Sequence, residues 1–283
     1  TPRAVLPASL VMPLKALAQR ERATLFTVML AAYQVLLMRL SGREDFAVGT
    51  PVTGRPRSEL EDVVGYFVNP LVVRTDLSGN PPFRQLLGRS LQTMLDAFEH
   101  QQVPFERLVS ELAPERHADR NPLFDVMINF MDGDFGALEL PGLDCQSVER
   151  WWARPKFAMT LYAELRQAEL HLTLTCRSDL FSSARAEEML RQYVALLGQI
   201  VAEPDARVHA YSLVTDAARR VLPDPVCRMH VEPQVPVHEA FLEHARRAPG
   251  RIALDRGDGH QTYAELAARS SATASLLRER AVG

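Results

Sequence analysis

The sequence is poor in cysteine and has no surplus of positive charge. Cys145, Cys176 and Cys227 are odd in number and far apart, and none stands in a Cys-x-x-Cys or Cys/His spacing. A disulfide framework and a zinc site are therefore not indicated, and a reducing cytoplasm fits this composition best. The formal net charge of -3, without a Lys/Arg run interleaved with aromatic residues, argues against nucleic-acid binding.

The sequence also has no apolar run long enough for a membrane span. Its most apolar stretch, residues 24–38, is shorter than the roughly 20 residues that a membrane helix needs, and it contains Gln34. We interpret it as a buried core helix. The chain opens with Thr1-Pro2-Arg3, without Met or the pattern of a signal peptide, so we expect no secretion and a chain cut from a longer polypeptide.

The motifs of a self-contained active site are missing. There is no Gly-x-x-x-x-Gly-Lys phosphate loop, no Gly-x-Ser-x-Gly nucleophile elbow and no His-Glu-x-x-His zinc motif. All eight histidines stand singly. We interpret His100, His117 and His171 as helix-end, loop and strand-surface residues. The sequence therefore predicts no catalytic residue and no metal site in this chain.

What the sequence does contain is an alternation of helix and strand patterns, which indicates an α/β fold. Apolar spacing predicts helices over residues 13–22, 24–40, 83–99, 104–112 and 183–203, with Thr24 and Ser182 or Ser183 as caps and Gly42 as a stop. Strands are predicted over residues 46–49, 71–74, 123–131, 138–148, 157–165 and 170–176. The last two are predicted to form a hairpin.

Prolines divide the chain into two parts. Four prolines between Leu222 and Pro236 deny the backbone regular hydrogen bonds and favour an extended connector. We therefore predict a domain over residues 1–216, an interdomain linker over 217–236 and a further segment over 237–283. This last segment is predicted to contain a helix, a hairpin and a second helix, and it is too short for a large catalytic domain.

Three motifs follow one another within about sixty residues. They are Val64-Gly65-Tyr66-Phe67-Val68-Asn69, His100-Gln101-Gln102-Val103-Pro104-Phe105-Glu106-Arg107-Leu108 and Arg120-Asn121-Pro122-Leu123-Phe124. In this order they resemble the late core motifs of the condensation domains of nonribosomal peptide synthetases. The resemblance covers about residues 8–216. After the linker, residues 237–241 and 262–266 resemble the first motif of an adenylation domain.

The resemblance implies a fold and a reaction. The fold would be the C-terminal lobe of a condensation domain, which is chloramphenicol-acetyltransferase-like with a mixed sheet and packed helices, followed by the N-terminal start of an adenylation domain. The family joins an upstream aminoacyl or peptidyl thioester to the amine of a downstream aminoacyl group, both carried on phosphopantetheine arms. Its His-His-x-x-x-Asp-Gly motif belongs to the N-terminal lobe and is absent from this sequence.

The resemblance also has consequences for activity and partners. No cofactor is expected to bind this chain itself, since the phosphopantetheine sits on partner carrier proteins, and the chain alone is expected to form no amide bond. The implied partners are the upstream and downstream peptidyl carrier domains, the missing N-terminal lobe of the condensation domain and the remainder of the adenylation domain.

Candidate site residues follow from the same resemblance. Asn69 is the first candidate for a polar group near the reacting thioester, and a strand-end asparagine that satisfies the backbone is the alternative. Tyr66 and Thr50 are further candidates for the substrate tunnel. Arg55 and Arg57 are candidates to contact the pantetheine phosphate or an acidic carrier protein, with solvated loop arginines as the alternative.

Other motif residues are expected to be structural. Arg74 and Arg120 are expected to pair with carboxylates. The remaining structural motif residues are Pro104, Phe105, Asn121 and Pro122. The sequence departs from the usual family pattern by having Pro70 for Thr, Gln102 for Asp, Ala158 for Asp and Gln261 for Leu. The change at Ala158 removes a charged partner near the channel and keeps a specialised or impaired subtype open.

Two other functions stay open. One is a non-catalytic, condensation-like interface domain that recruits a partner protein; a degraded double-histidine motif upstream of Thr1 would favour it, and an intact motif would favour the enzyme. The other is a free-standing acyltransferase of the same fold that uses coenzyme A. The adenylation-like segment argues against this last function, because such enzymes need no such neighbour.

Overall fold

A six-stranded mixed sheet is the framework of residues 1–222. The computed structural model describes residues 1–55, 57–112, 121–132, 142–143, 155–223, 236–255, 257 and 259–280. The strands are β1 (Arg3–Leu6), β2 (Asp45–Val52), β3 (Asn69–Asp76), β4 (Val126–Asp132), β5 (Met159–Arg166) and β6 (Glu169–Cys176). Their order across the sheet is β1-β6-β5-β4-β2-β3.

The pairing makes the sheet mixed. Strand β4 runs parallel to both of its neighbours, β2 and β5, and every other pair is antiparallel. The predicted hairpin is confirmed, since β5 and β6 pair from Met159 with Cys176 to Arg166 with Glu169. Strand β1 was not predicted, because four residues at a sheet edge are too few for a periodic signal. The predicted strand over residues 138–148 lies outside the described residues.

Helix α2 is the centre of the core. The helices of this unit are α1 (Ala8–Arg20), α2 (Leu25–Ser41), α3 (Phe83–Glu99), α4 (Phe105–Leu112), α5 (Ser183–Ala202) and the short α6 (Asp216–Arg219). In α2 the Thr24 side chain accepts a hydrogen bond from the Thr27 amide, and the helix ends at Gly42 with a positive φ of 71°. Residues 27–38 are all buried, which confirms the predicted core helix and its two ends.

Helix α1 differs from the prediction. The sequence placed Pro13 in its first turn, but the helix begins at Ala8 and Pro13 lies inside it. Proline in a helix removes one backbone hydrogen bond. Burial of Val11, Leu14 and Leu17 against the core offsets this loss. Among the described residues no single helix is long and apolar enough to cross a membrane, and α1 and α2 meet that test only together, as a pair bent by 101°.

The sheet has two unlike faces. In β5 the side chains of Leu161, Ala163 and Leu165 are buried in the core formed with α1, α2, α3 and α5. The residues between them, among them Tyr162 and Glu164, point to the opposite face and are partly exposed. This alternation leaves a face that carries polar side chains along β4, β5 and β6.

Residues 223–283 form a separate unit in which helices flank a hairpin. Its elements are α7 (Val237–Arg247), β7 (Ile252–Asp255), β8 (His260–Thr262) and α8 (Tyr263–Glu279). Strands β7 and β8 are antiparallel. Thr262 and Glu265 form a capping box that fixes the start of α8. The predicted order of helix, hairpin and helix is confirmed, while the boundaries at residues 216 and 236 stay a prediction.

A buried polar network joins α2, β3 and α3. The Gln34 amide nitrogen donates to the Thr75 hydroxyl, and the Ser90 hydroxyl donates to the Gln34 amide oxygen at 2.7 Å. All three residues are buried. Since a buried polar group without a partner is costly, this network fixes the position of α2 between its two neighbours.

Replacing Gln34 by Met is expected to lower the free energy of unfolding by about 2–4 kcal/mol, because the similar side chain leaves two buried hydroxyls without their partner. Urea unfolding followed by circular dichroism measures the change. The control is Gln19→Met at an exposed position of α1, which is expected to stay within about 0.5 kcal/mol. Equal stability of the two variants would contradict this account of the network.

Candidate functional site

A cavity of about 600 Å³ lies on the sheet face that carries the polar side chains. Strands β4, β5 and β6 form its floor through Met127, Asn129, Thr160, Tyr162, Thr175 and Cys176. The remaining described lining residues are Thr1, Pro51, Tyr66, Val68, Pro70, Pro155, Lys156 and Phe157. The motif that contains Tyr66 therefore meets the Lys156-Phe157 segment at this cavity. A second cavity, of about 650 Å³ between β1, α5 and residues 214–217, is lined by no motif residue.

The loop that carries Tyr66 is held by Arg55. The Arg55 guanidinium donates to the backbone carbonyls of Leu60, Glu61 and Val63. It also lies 4.3 Å from the centre of the Phe67 ring, a cation–π contact. Arg55 is thus committed to its own loop, which favours a structural role for it over the predicted phosphate contact.

The same loop exposes the other two candidates. The Tyr66 side chain is 87% exposed and borders the cavity, so its predicted place at a substrate tunnel stays a prediction. Arg57 is exposed and forms no ion pair with any residue that the structure describes. Thr50 is buried, and its neighbour Pro51 lines the cavity in its place. Successive side chains of a strand point to opposite faces, which explains why Pro51 and not Thr50 lines the cavity. The place of Thr50 at a substrate tunnel stays a prediction.

Asn69 ties two segments together through its side chain. Its amide nitrogen donates to the carbonyl oxygens of Gln101 at 3.0 Å and Val103 at 2.8 Å. Its amide oxygen accepts from the Phe105 amide at 3.1 Å, in the first turn of α4. Asn69 donates both of its side-chain amide hydrogens to backbone carbonyls. The structure therefore favours the alternative that Asn69 is a strand-end asparagine that satisfies the backbone. Contact between Asn69 and a thioester stays a prediction. Such a contact would use the second lone pair of the Asn69 amide oxygen as an acceptor.

Three aromatic rings connect α4 to the cavity wall. Phe105 meets Phe124 edge to face at 5.7 Å, and Phe124 stacks on Phe157 at 5.2 Å between ring centres. The Phe124 ring lies directly against the backbone of Gly49 in β2, where any Cβ atom would overlap it. Gly49 is therefore required by a close approach, and it seats the ring stack whose last member, Phe157, lines the cavity.

The remaining structural candidates take different places. Arg74 donates to both carboxylate oxygens of Asp45, at 2.9 and 2.6 Å, and this pairing lowers the pKa of Asp45. Pro104 opens α4, since its carbonyl accepts from the amides of Arg107 and Leu108. Asn121 and Pro122 are half-buried before β4, and the Asn121 side-chain oxygen has no partner among the described residues. Arg120 lies outside the described residues.

The cavity lining can bind and orient a ligand, but its described part contains no general base. No histidine, aspartate or glutamate is among the described lining residues. Burial raises the pKa of Cys176 to about 11, so this thiol is protonated near neutral pH and is a poor nucleophile. Within the described part of the chain no cluster of His, Cys, Asp and Glu is arranged to hold a metal ion. His100 lies at the end of α3 and His171 on β6, as interpreted from the sequence.

The sequence interpretation missed the floor of the cavity. Asn129, Thr160, Tyr162 and Thr175 were not singled out, although they are the polar residues of otherwise apolar strands. Their signal was the alternation of polar and apolar residues, which marks two faces of a sheet. That signal shows which residues share a face, but not that the face is concave.

Comparison with known proteins shows similarity along the whole chain. The family model described as "Condensation domain" matches residues 3–222. Over 285 residues the chain is 38% identical to one of the proteins that make up the linear gramicidin synthase of Brevibacillus parabrevis, and the match covers 98% of this chain and 4% of that protein. The chain therefore spans a small part of this curated relative.

Two solved structures have similar folds. One is a four-domain nonribosomal peptide synthetase bound to AMP and glycine, with a TM-score of 0.71, 24% identity and coverage of 99% of this chain and 22% of that chain. The other is the X-domain in its complex with OxyB from teicoplanin biosynthesis, with a TM-score of 0.70, 26% identity and coverage of 76% of this chain and 48% of that chain. Both agree with the mixed sheet and packed helices found here.

Replacing Gly49 by Ala is expected to destabilise the protein by about 1–3 kcal/mol, because the new methyl group displaces the Phe124 ring and with it the stack. Thermal unfolding measures the loss. The control is Gly88→Ala in α3, where a Cβ meets no atom within 4 Å and the substitution is expected to be neutral or stabilising. A Gly49 variant as stable as the control would refute the required close approach.

Replacing Asn69 by Asp is expected to lower the free energy of unfolding by about 1–3 kcal/mol at pH 7, since a carboxylate cannot donate to the carbonyls of Gln101 and Val103. Chemical denaturation at pH 7 provides the measurement. Asn129→Asp is the matched control, because the side-chain amide of Asn129 forms no hydrogen bond with described residues. If both substitutions have the same effect, the Asn69 linkage has no special role in stability.

Proposed function

Because this chain belongs to the condensation domain family, we propose that residues 1–216 are the C-terminal lobe of an amide-forming condensation domain in a nonribosomal peptide synthetase. Residues 217–236 are then the linker to the next domain, and residues 237–283 are the beginning of an adenylation domain. The similarity to the linear gramicidin synthase protein over 98% of this chain supports this interpretation, because it continues past the linker.

The observation that carries the proposal is the cavity on the polar face of the sheet. Its described lining has hydroxyl, amide and aromatic groups that suit an acyl chain with amide bonds, yet no group that would accept a proton from an amine. Amide formation in such a cleft therefore needs a general base from another part of the protein. The X-domain match supports a second lobe as its source, since this chain covers 48% of that chain.

The proposed reaction forms an amide and releases a thiol. The amine nitrogen of the downstream aminoacyl group attacks the carbonyl carbon of the upstream thioester, the C–N bond forms and the C–S bond breaks. The amine loses a proton to the base of the other lobe, and the departing pantetheine sulfur receives one. In this chain the floor residues Thr160, Tyr162 and Asn129 orient the acyl chain, and Asn69 holds the neighbouring loop in place.

Contacts to the carrier proteins belong to the same proposal. The upstream and downstream carrier domains bring phosphopantetheine arms to the two ends of the cleft. Arg57 is better placed than Arg55 to meet a phosphate or an acidic carrier surface, because Arg55 already donates to three loop carbonyls while Arg57 is exposed.

Filling the cavity tests the proposal. In the full-length protein, Asn129→Trp is expected to lower amide formation between two loaded carrier domains by roughly tenfold or more, because the indole occupies the path of the acyl chain. Mass spectrometry of the carrier-bound product measures the rate. The control is His171→Trp, at a position of β6 outside the cavity lining, which is expected to retain activity. Undiminished product from the Asn129 variant, with its fold intact by circular dichroism, would exclude this cavity as the reaction cleft.

A second candidate function is a condensation-like domain that forms no bond and recruits a partner protein. It is supported by the likeness to the X-domain, whose structure was solved in complex with OxyB. The same assay separates the two functions. Product formation by the full-length protein favours the enzyme, whereas no product together with a degraded double-histidine motif upstream of Thr1 favours the recruiting domain.

A further inference from the structure

The charge of the cavity lining is one-sided. Among the described lining residues the only charged side chain is that of Lys156, and the others are apolar or carry uncharged hydroxyl, phenol, thiol or amide groups. Lys156 is exposed at the cavity and follows Pro155, which also lines it. The chain has one other lysine, Lys15, in α1 among the helices of the core face.

No described carboxylate balances this ammonium group. Lys156 forms no ion pair or hydrogen bond with the residues that the structure describes. Glu164 lies on the same face of β5 as Tyr162, but its carboxylate accepts from the Arg166 guanidinium at 2.9 Å. Arg74 and Asp45 neutralise each other at the far edge of the sheet. The one charged side chain of the described lining is therefore a cation without a counterion among the described residues.

We propose that the cavity selects the acyl groups that enter it by charge, and that Lys156 makes it admit uncharged or anionic side chains and reject cationic ones. This inference rests on the proposed function, since it assumes that the cavity receives the acyl group. A cationic side chain that enters loses water against apolar walls formed by Met127, Phe157 and Pro51. It also meets a like charge that no carboxylate among the described lining residues offsets, and such repulsion discriminates between ligands.

The magnitude follows from the environment. Two unit charges about 8 Å apart in a largely hydrated cavity change an affinity by roughly threefold, so that the ratio of basic to acidic acyl groups changes by roughly tenfold. The affinity of the cavity for an anionic side chain rises by the factor by which its affinity for a cationic one falls, while its affinity for a neutral side chain is unaffected. The prediction thus concerns the ratio of products and not the overall rate.

A competition assay with the full-length protein tests the inference. Carrier domains loaded with an aliphatic, an acidic or a basic aminoacyl group of similar length are mixed in equal amounts, first in the upstream position and then in the downstream position. Mass spectrometry gives the ratio of the three products. We expect the basic group to be disfavoured in at least one position, and Lys156→Glu to raise the basic-to-acidic product ratio there by roughly a hundredfold, since both preferences invert.

The controls separate charge at the cavity from other effects. Lys156→Arg is expected to keep the wild-type ratio, and Lys15→Glu makes the same change in net charge on the other side of the sheet and is also expected to keep it. If Lys156→Glu yields too little product, Lys156→Gln is used, and its ratio is expected to shift roughly tenfold in the same direction.

The outcomes distinguish the two proposals. An unchanged product ratio in the Lys156 variants, with the aliphatic product still formed, overturns the charge selection and leaves the proposed reaction standing. A ratio that shifts equally in the Lys15 variant also overturns it. No amide from any acyl group with the wild-type protein refutes the proposed reaction and the inference together.

Discussion

The packing of α2 against one face of the sheet is the constraint on which the rest of the molecule depends. This helix has almost no polar side, and residues 27–38 are buried by the sheet, α1, α3 and α5. Each fully buried Leu or Met side chain contributes about 1.5–3 kcal/mol. Because α2 takes the apolar face, the alternating residues of the strands must present their polar side chains on the other face.

Two local arrangements shape the wall of the cavity on the polar face of the sheet. Gly49 provides a place where the Phe124 ring lies on the strand itself, and the ring stack then extends to Phe157 at the cavity. The Asn69 side chain holds the loop before α4 through two hydrogen bonds and the first residue of α4 through a third. The motif residues in this region thus shape a wall, and the polar groups that face the cavity come from β4, β5 and β6. Because the Asn69 amide already bonds two backbone segments, it has few donors and acceptors left for a ligand. The Arg55 guanidinium likewise already donates to three backbone carbonyls.

Local patterns along the chain were sufficient to identify most of the helices and strands and the α/β class of the fold. Apolar periodicity placed α2, α3 and α5 and the β5–β6 hairpin, and Thr24 and Gly42 marked the ends of α2 correctly, because caps and periodicity are local properties of the chain. The motif order indicated the family that the comparison over residues 3–222 supports. The start of α1 was wrong, since burial of three apolar side chains outweighs the local preference of Pro13.

Which polar residues meet depends on long-range packing. Asn129, Thr160 and Thr175 come from three strands that are neighbours in the sheet, although β4 lies far from the other two in sequence. The choice between Thr50 and Pro51 depended on a register of one residue, and the bonds of Asn69 depended on a loop more than thirty residues away. Strand order and loop packing are set by long-range contacts, and these leave no local pattern in the chain.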